Sequence, residues 1–158
     1  MSFKVNIYIY TSMKGLKQKK GVAGWLVEFE KKNGEIVTRP HKGPGIVVVE
    51  GTETKATLTA LEEALKILTK SCENCLFANK SGIFDPLKNG WLDMWKERNF
   101  QNSKGKPVKN SEEWKKIAEL LENHTVEIEK DLGSYKLFLP SEVEKNVDFA
   151  NNIQKGGE

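Results

Sequence analysis

The spacing of the apolar residues changes at Thr52. Before it, Val5, Ile7 and Ile9 alternate with other residues, which is the period of a partly buried β-strand. Beyond it, leucines recur at three- and four-residue steps from residue 58 to residue 68, which is the period of an amphipathic helix. This change predicts a sheet that begins with neighbouring strands and is then covered by helices.

The first part of the chain predicts an antiparallel meander. Asn33-Gly34 is a strong two-residue hairpin signal, so the strands on either side of it are expected to pair. A break at residues 43–45 precedes an apolar, β-branched run at 46–49, and a helix is expected to begin near Thr52. The three predicted strands are 3–11, 22–31 and 35–42.

The middle of the chain predicts a strand, a helix and a loop. A short strand is expected around residues 76–78. Asp85 followed by Pro86 is typical of an N-cap and a first helical position, and the helix is expected to end by about Asn99. Residues 101–110 show no apolar periodicity and predict an exposed basic loop.

The last part of the chain predicts two helices around one strand. Ser111 opens a helix with Trp114 facing inward, and residues 125–129 alternate as a strand. Ser141 and Glu144 form a capping-box pattern that opens a closing helix, with Val143, Val147 and Ala150 on one side. The predicted fold is α/β: a five-stranded mixed sheet, with three antiparallel strands followed by parallel ones, flanked by helices.

Composition limits the class of protein. With 158 residues, 38% of them hydrophobic and 30% charged, one folded domain over residues 1–158 is expected, with a disordered tail at about 154–158. No apolar run reaches the ~18 residues that a membrane helix needs, and the N-terminal residues show no secretory pattern. A cytoplasmic protein is therefore expected. The net charge of +3 is too small to indicate an acidic partner by itself.

Cys72 and Cys75 form a Cys-x-x-Cys pair without a second pair. A structural zinc site needs four ligands, and His41 and His124 do not stand at zinc-finger spacing. A redox pair of the thioredoxin type is the alternative. Two reduced thiols near the start of a strand are the expected reading.

Several local strings resemble those of one family. Residues 91–100 read WLDMWKERNF, residues 105–110 read GKPVKN, and Trp114 follows; IYT at 9–11 and TETKATL at 52–58 fall in register with them. In these strings the chain resembles type I ribonuclease H, whose members cut the RNA strand of RNA–DNA hybrids. The resemblance extends from about residue 5 to residue 150 and implies the ribonuclease H-like fold.

The resemblance also implies where the catalytic groups belong. The family uses four carboxylates that hold two magnesium ions against the scissile phosphate. Their positions fall on Ser12, Thr57, Asn79 and Asp148, so only Asp148 is an acid. The histidine loop of the family corresponds to residues 132–139, which contain no histidine.

This loss of carboxylates argues against a two-metal site. Two-metal catalysis places the ions about 3.5–4 Å apart, and two unit charges at 4 Å repel by roughly 4 kcal/mol at an effective dielectric of 20, or about four times that for divalent ions. One carboxylate does not offset such repulsion, and neutral hydroxyls are poor magnesium ligands. We expect no cofactor, at most one weakly held ion at Asp148, and a degenerate active site.

Nucleic-acid binding is the remaining expectation. It requires cations along phosphate backbones and aromatic faces near sugars. Thr52 matches a residue with which the family grips a DNA phosphate, whereas a carboxylate at the neighbouring Glu53 would repel phosphate. Glu53 is equally well explained as a first-turn helix residue that the helix dipole favours. The candidate contact residues are Lys14, Lys17, Thr52, Trp95, Lys96, Arg98, Phe100, Lys104, Lys106 and Lys109. The alternative is that the lysines are solvated surface groups; Trp91 and Trp114 are expected in the core.

Three functional hypotheses follow. The first is a catalytically silent ribonuclease H-like protein that binds RNA–DNA hybrid or another duplex. The second is a weakly active ribonuclease H that uses Asp148 and a repaired site. The third is a protein-interaction or structural domain that kept only the fold, which the carboxylate at Glu53, the small net charge and the apolar run 137–139 favour. Fold alone does not decide among them.

Overall fold

A six-stranded sheet forms the centre of the protein. The computed structural model describes residues 3–15, 17, 19–129 and 131–147. The strand order is β3-β2-β1-β5-β6, and β4 also pairs with β2. The strands are β1 (Phe3–Thr11), β2 (Lys19–Glu30), β3 (Ile36–Arg39), β4 (Gly45–Gly51), β5 (Cys72–Ala78) and β6 (Thr125–Glu129).

The strand directions confirm the predicted mixed sheet. The strand β2 runs antiparallel to β1, β3 and β4, whereas β1, β5 and β6 run parallel. Residues 27–30 of β2 pair with β3, and residues 19–25 pair with β4, so these two strands share one side of β2. The run 46–49, which sequence patterning left unassigned, is the centre of β4 and accounts for the sixth strand.

Five α-helices surround the sheet in the described part of the chain. They are α1 (Glu53–Lys66), α2 (Phe84–Lys88), α3 (Trp91–Glu97), α4 (Ser111–Leu120) and α5 (Phe138–Glu144). Short 3₁₀ turns at Ser81–Ile83 and Gly133–Tyr135 precede α2 and α5.

Two helix predictions were wrong. The predicted helix from Asp85 is split into α2 and α3, because Gly90 adopts a left-handed conformation (φ 72°) between them; its N-cap is Ile83, so Asp85 lies inside α2. The capping box at Ser141 does not open the last helix, since α5 begins at Phe138. Pro140 is tolerated there because amides of the first helical turn have no intrahelical partner.

The core lies on both faces of the sheet. On one face, Val5, Ile7 and Ile9 are buried with residues of α1 and α4, and Trp114 is only 2% exposed. On the other face a smaller cluster joins β1 and β2 to the segment that leads into α5; its buried members are Tyr8, Val22, Leu26, Leu132, Leu139 and Val143.

Two further expectations concern the cysteines and membrane-spanning helices. Cys72 and Cys75 are free thiols, and burial raises the pKa of the Cys72 thiol, which keeps it protonated and poorly reactive. No helix in the described ranges is long and apolar enough to cross a bilayer. Asp148, Ala150 and the predicted tail at 154–158 lie outside the described residues.

Candidate functional site

The ends of β1 and β5 meet at Asn79, one of the positions that the resemblance assigns to a metal ligand. Its Nδ2 donates to the Thr11 carbonyl at 2.9 Å, and its Oδ1 accepts from the Thr11 amide at 3.1 Å. The Asn79 amide donates to the Ile9 carbonyl at 3.3 Å. Asn79 thus joins the ends of two neighbouring parallel strands, and both the oxygen and the nitrogen of its carboxamide make a hydrogen bond.

Thr57 is the second of these positions, and it lies inside α1. It is fully buried, and its hydroxyl donates to the Glu53 carbonyl at 2.8 Å. This is the back-bonding that threonine makes inside a helix. Ser12, the third position, is half-buried directly after β1, next to the Thr11 backbone that Asn79 holds.

Glu53 connects the helix to both strand ends. Its Oε2 accepts from the Gly15 amide at 2.9 Å and lies 3.2 Å from the Lys80 ammonium. Gly15 belongs to the loop after β1, and Lys80 follows Asn79. The structure therefore gathers Ser12, Thr57 and Asn79 around one end of the sheet, linked through Glu53.

This pairing changes the expected role of Glu53. A carboxylate that repels phosphate would carry an unbalanced charge, whereas the Lys80 ammonium balances the charge of Glu53. The position of Glu53 in the first turn of α1 fits the other expectation, a residue that the helix dipole favours. Thr52, its neighbour, is the N-cap of α1, and its hydroxyl accepts from the Lys55 amide at 3.2 Å. A capping threonine of this kind stabilises a helix by about 1 kcal/mol, so Thr52 has a structural role regardless of any ligand.

The basic segment after α3 is an ordered hairpin rather than an irregular loop. Gln101 pairs with Pro107 in an antiparallel bridge. Asn102 closes the turn: its Oδ1 accepts from the Lys104 amide at 2.9 Å and from the Lys106 amide at 3.1 Å. The backbone amide of Asn102 donates to the Lys106 carbonyl at 2.7 Å. We call residues 101–107 the basic hairpin.

The cations around the basic hairpin point into solvent. Lys96, Arg98, Lys104, Lys106 and Lys109 are all exposed. Within the described ranges, none of these five lies within 4.0 Å of a carboxylate. Lys14 and Lys17, in the loop after β1, are exposed as well. These seven side chains are therefore available to an anionic partner.

The aromatic residues near the basic hairpin divide between core and surface. Trp114 is buried as predicted, but Trp91 is 38% exposed, so its expected place in the core was wrong. Trp95 is half-buried and packs edge-on against Trp114, with ring centroids 5.7 Å apart. Phe100 is only 7% exposed and packs near Trp95, so it supports the hairpin from inside.

Tyr135 occupies the segment that corresponds to the histidine loop of the family. Its hydroxyl donates to Glu28 Oε2 at 2.7 Å, and its ring meets Tyr8 edge-on with centroids 4.6 Å apart. Tyr8 stacks on Phe77 at 4.5 Å. This aromatic cluster was not predicted from the sequence. The alternation of Tyr8 and Tyr10 with apolar residues in β1 is the sequence pattern that could have indicated it.

Burial, together with neighbouring carboxylates, raises the pKa of Tyr135 and of Tyr10. Burial, followed by the hydrogen bond to Glu28, raises the pKa of Tyr135 to about 12. Burial and the hydrogen bond to Glu144 (2.6 Å) raise the pKa of Tyr10 to about 12. Both phenols act as donors that tie β1 and β2 to the C-terminal segment.

The described residues contain no group of three or more His, Cys, Asp or Glu side chains arranged to hold a metal ion. Asp148, the acid that the resemblance retains, lies outside the described residues. We call the positions of Ser12, Thr57 and Asn79 the strand-end site; there the Asn79 carboxamide and the Thr57 hydroxyl already bond to backbone groups.

The chain matches the RNase H family over residues 3–131. A ribonuclease H from Chlorobium luteolum is 37% identical over 82 residues, which is 52% of this chain and 56% of that relative. The chain spans about half the length of the first curated relatives it matches.

Solved structures are similar in fold. LC9-RNase H1, described as a type 1 RNase H with the type 2 active-site motif, has a TM-score of 0.74 at 19% identity, covering 95% of this chain and 74% of that one. LC11-RNase H1 in complex with RNA/DNA hybrid has a TM-score of 0.57 at 18% identity, covering 93% and 99%. The strand order of the sheet agrees with these structural similarities. Because the family match covers residues 3–131, the chain belongs to the RNase H family.

Proposed function

We propose that this chain binds RNA–DNA hybrid, or another nucleic-acid duplex, and does not carry out efficient two-metal hydrolysis. The observation that argues against hydrolysis is the Asn79 carboxamide, which bonds to both backbone groups of Thr11 where the family places a metal-binding aspartate. An amide donor committed to a carbonyl adds no negative charge to a cation.

The other two residues of the strand-end site also argue against a pair of metal ions. Ser12 and Thr57 are neutral, and the Thr57 hydroxyl donates to the Glu53 carbonyl. Magnesium prefers anionic oxygen and loses its water reluctantly. A pair of divalent ions needs several carboxylates to offset a repulsion of roughly 16 kcal/mol at 4 Å and an effective dielectric of 20. The residues present do not fit a pair of magnesium ions.

The exposed cations support duplex binding. Lys104 and Lys106 stand on the ordered basic hairpin, and Lys96, Arg98 and Lys109 lie beside it. A backbone that hydrogen bonds already hold in a hairpin loses less conformational entropy when its lysines contact phosphates. LC11-RNase H1, a structure of the same fold, is in complex with an RNA/DNA hybrid. A hybrid is therefore the first ligand to test.

The test is fluorescence anisotropy of a labelled RNA–DNA hybrid, with duplex DNA and duplex RNA beside it. The titrations are run without divalent ions across a salt series. We expect micromolar or tighter binding that weakens steeply with salt, because phosphate contacts release counterions. A variant with Lys106→Ala and Lys109→Ala is expected to bind more weakly with a shallower salt slope. The matched control is Lys31→Ala with Lys32→Ala, two exposed lysines in the turn between β2 and β3.

Family membership favours a second candidate, a weak hybrid ribonuclease that uses Asp148. A cleavage assay of the same hybrid with magnesium and with manganese separates it from silent binding. Manganese-dependent cleavage that is lost in Asp148→Asn would contradict the inactive-site proposal. Absence of cleavage by a protein that binds the hybrid supports it.

Two exposed apolar residues favour a third candidate, a protein-interaction domain. Leu137 is 80% exposed and Phe138 is 43% exposed at the start of α5. If no duplex binds at low salt, the first proposal fails and this surface becomes the one to pursue.

A further inference from the structure

The ammonium group of Lys80 is partly buried beside the strand-end site. Lys80 is the residue after Asn79, whose side chain closes the end of β5 onto β1. Its Nζ lies 3.2 Å from Glu53 Oε2, and the two side chains are only 22% and 26% exposed. This ion pair is less exposed than the described ion pairs on the helix surfaces, such as Lys66 with Glu63 at 51% and 41%.

The ion pair is fixed from three directions. Glu53 Oε2 also accepts from the Gly15 amide at 2.9 Å, which anchors the loop after β1. The Glu53 carbonyl accepts from Thr57, inside α1. Lys80 itself continues from the end of β5. The ammonium therefore has a defined position, which a lysine on an exposed loop lacks.

We propose, on the basis of the proposed function, that Lys80 binds a phosphate of the nucleic acid at the strand-end site and supplies there the positive charge that metal ions supply in a two-metal nuclease. An ammonium has three N–H donors, and Glu53 is its carboxylate partner, so donors remain for a phosphate oxygen. Glu53 is a positioning residue in this arrangement.

The local charge is consistent with an anionic ligand. Glu53 is balanced by Lys80, and the loop that Glu53 anchors carries the exposed Lys14 and Lys17. With one negative and three positive groups, these four side chains carry a formal charge of +2. A charge supplied by the chain itself makes phosphate binding here independent of divalent ions.

The test compares Lys80→Gln with Lys66→Gln. Glutamine at position 80 keeps an N–H donor for Glu53 but removes the charge, so the Gly15 loop stays anchored. Lys66 is the matched control, since it pairs with Glu62 and Glu63 at the opposite end of α1. Hybrid affinity is measured by anisotropy in EDTA across a salt series, and thermal unfolding confirms that both variants fold.

Lys80→Gln is expected to weaken hybrid binding roughly three- to tenfold and to reduce the salt slope by about 0.9, whereas Lys66→Gln is expected to match the wild type. Lys80→Arg, which keeps charge and donors, is expected to retain the slope. Equal affinities and slopes for the two glutamine variants would overturn the role of Lys80 while leaving hybrid binding intact. Wild-type binding that requires magnesium would also overturn it. Absence of wild-type binding is a different result, which rejects the proposed function itself.

Discussion

The Asn79 carboxamide makes two hydrogen bonds to one residue, accepting from the Thr11 amide and donating to the Thr11 carbonyl. Asn79→Asp removes the donor and places a carboxylate oxygen against that carbonyl. We expect the free energy of unfolding to fall by about 1–3 kcal/mol, measured by urea denaturation. Asn123→Asp, at an exposed position between α4 and β6, is the control for the added charge. A fully stable Asn79→Asp variant would contradict the strand-closing role.

Trp91 and Trp114 are expected to differ sharply in their contribution to stability. Trp114 is 2% exposed in the main core, whereas Trp91 is 38% exposed on α3. Trp114→Ala is expected to lower the free energy of unfolding by about 3–5 kcal/mol, and Trp91→Ala by about 1 kcal/mol or less. Urea denaturation of the two variants measures both values. A loss at Trp91 as large as that at Trp114 would place it in the core after all.

Asn102 is expected to affect hybrid binding through order rather than charge. Asn102→Ala removes the acceptor for the Lys104 and Lys106 amides but leaves every cation in place. We expect affinity to fall about two- to fivefold because ordering the basic hairpin then opposes binding, with an unchanged salt slope. Anisotropy across the salt series measures both quantities, with Asn123→Ala as the control. A reduced slope would mean that a phosphate contact had been lost instead.

Tyr135 is expected to make stability depend on alkaline pH. Burial and Glu28 raise its pKa from 10.0 to about 12, so the folded protein retains a phenolic proton that the unfolded chain releases. The resulting stabilisation is complete below pH 10 and is lost as the pH rises from 10 through 12. Urea denaturation of wild type and Tyr135→Phe at pH 8, 10 and 11 should show the advantage of the wild type shrinking. A constant difference across that range would exclude this proton linkage.

Local patterns predicted most of the fold. The strand β1, the hairpin around Asn33-Gly34 and the helix start near Thr52 were all predicted correctly, because each depends on residues close together in the chain. The split between α2 and α3 was not predicted. An isolated glycine inside a helical pattern does not reveal whether it adopts the left-handed conformation that Gly90 has.

The long-range contacts of the candidate site could not be predicted from the sequence. Matching strings assigned Asn79 as a lost metal ligand, but its bonds to Thr11 join residues 68 positions apart, and no local pattern encodes them. The Glu53–Lys80 pair was missed for the same reason. Trp91 was misplaced because helical spacing identifies a stripe of residues without identifying what covers it.

The division of one side of β2 between β3 and β4 has a consequence for how molecules of this protein meet each other. The longest strand, with 12 residues, lies inside the sheet. The strands at the two margins are shorter: β3 has 4 residues and β4 has 7 on one side, and β6 has 5 on the other. Short, interrupted margins that carry charged residues such as Arg39, Glu50 and Glu127 are poor templates for strand addition. We therefore expect the two shortest margins, β3 and β6, to disfavour edge-to-edge pairing between molecules.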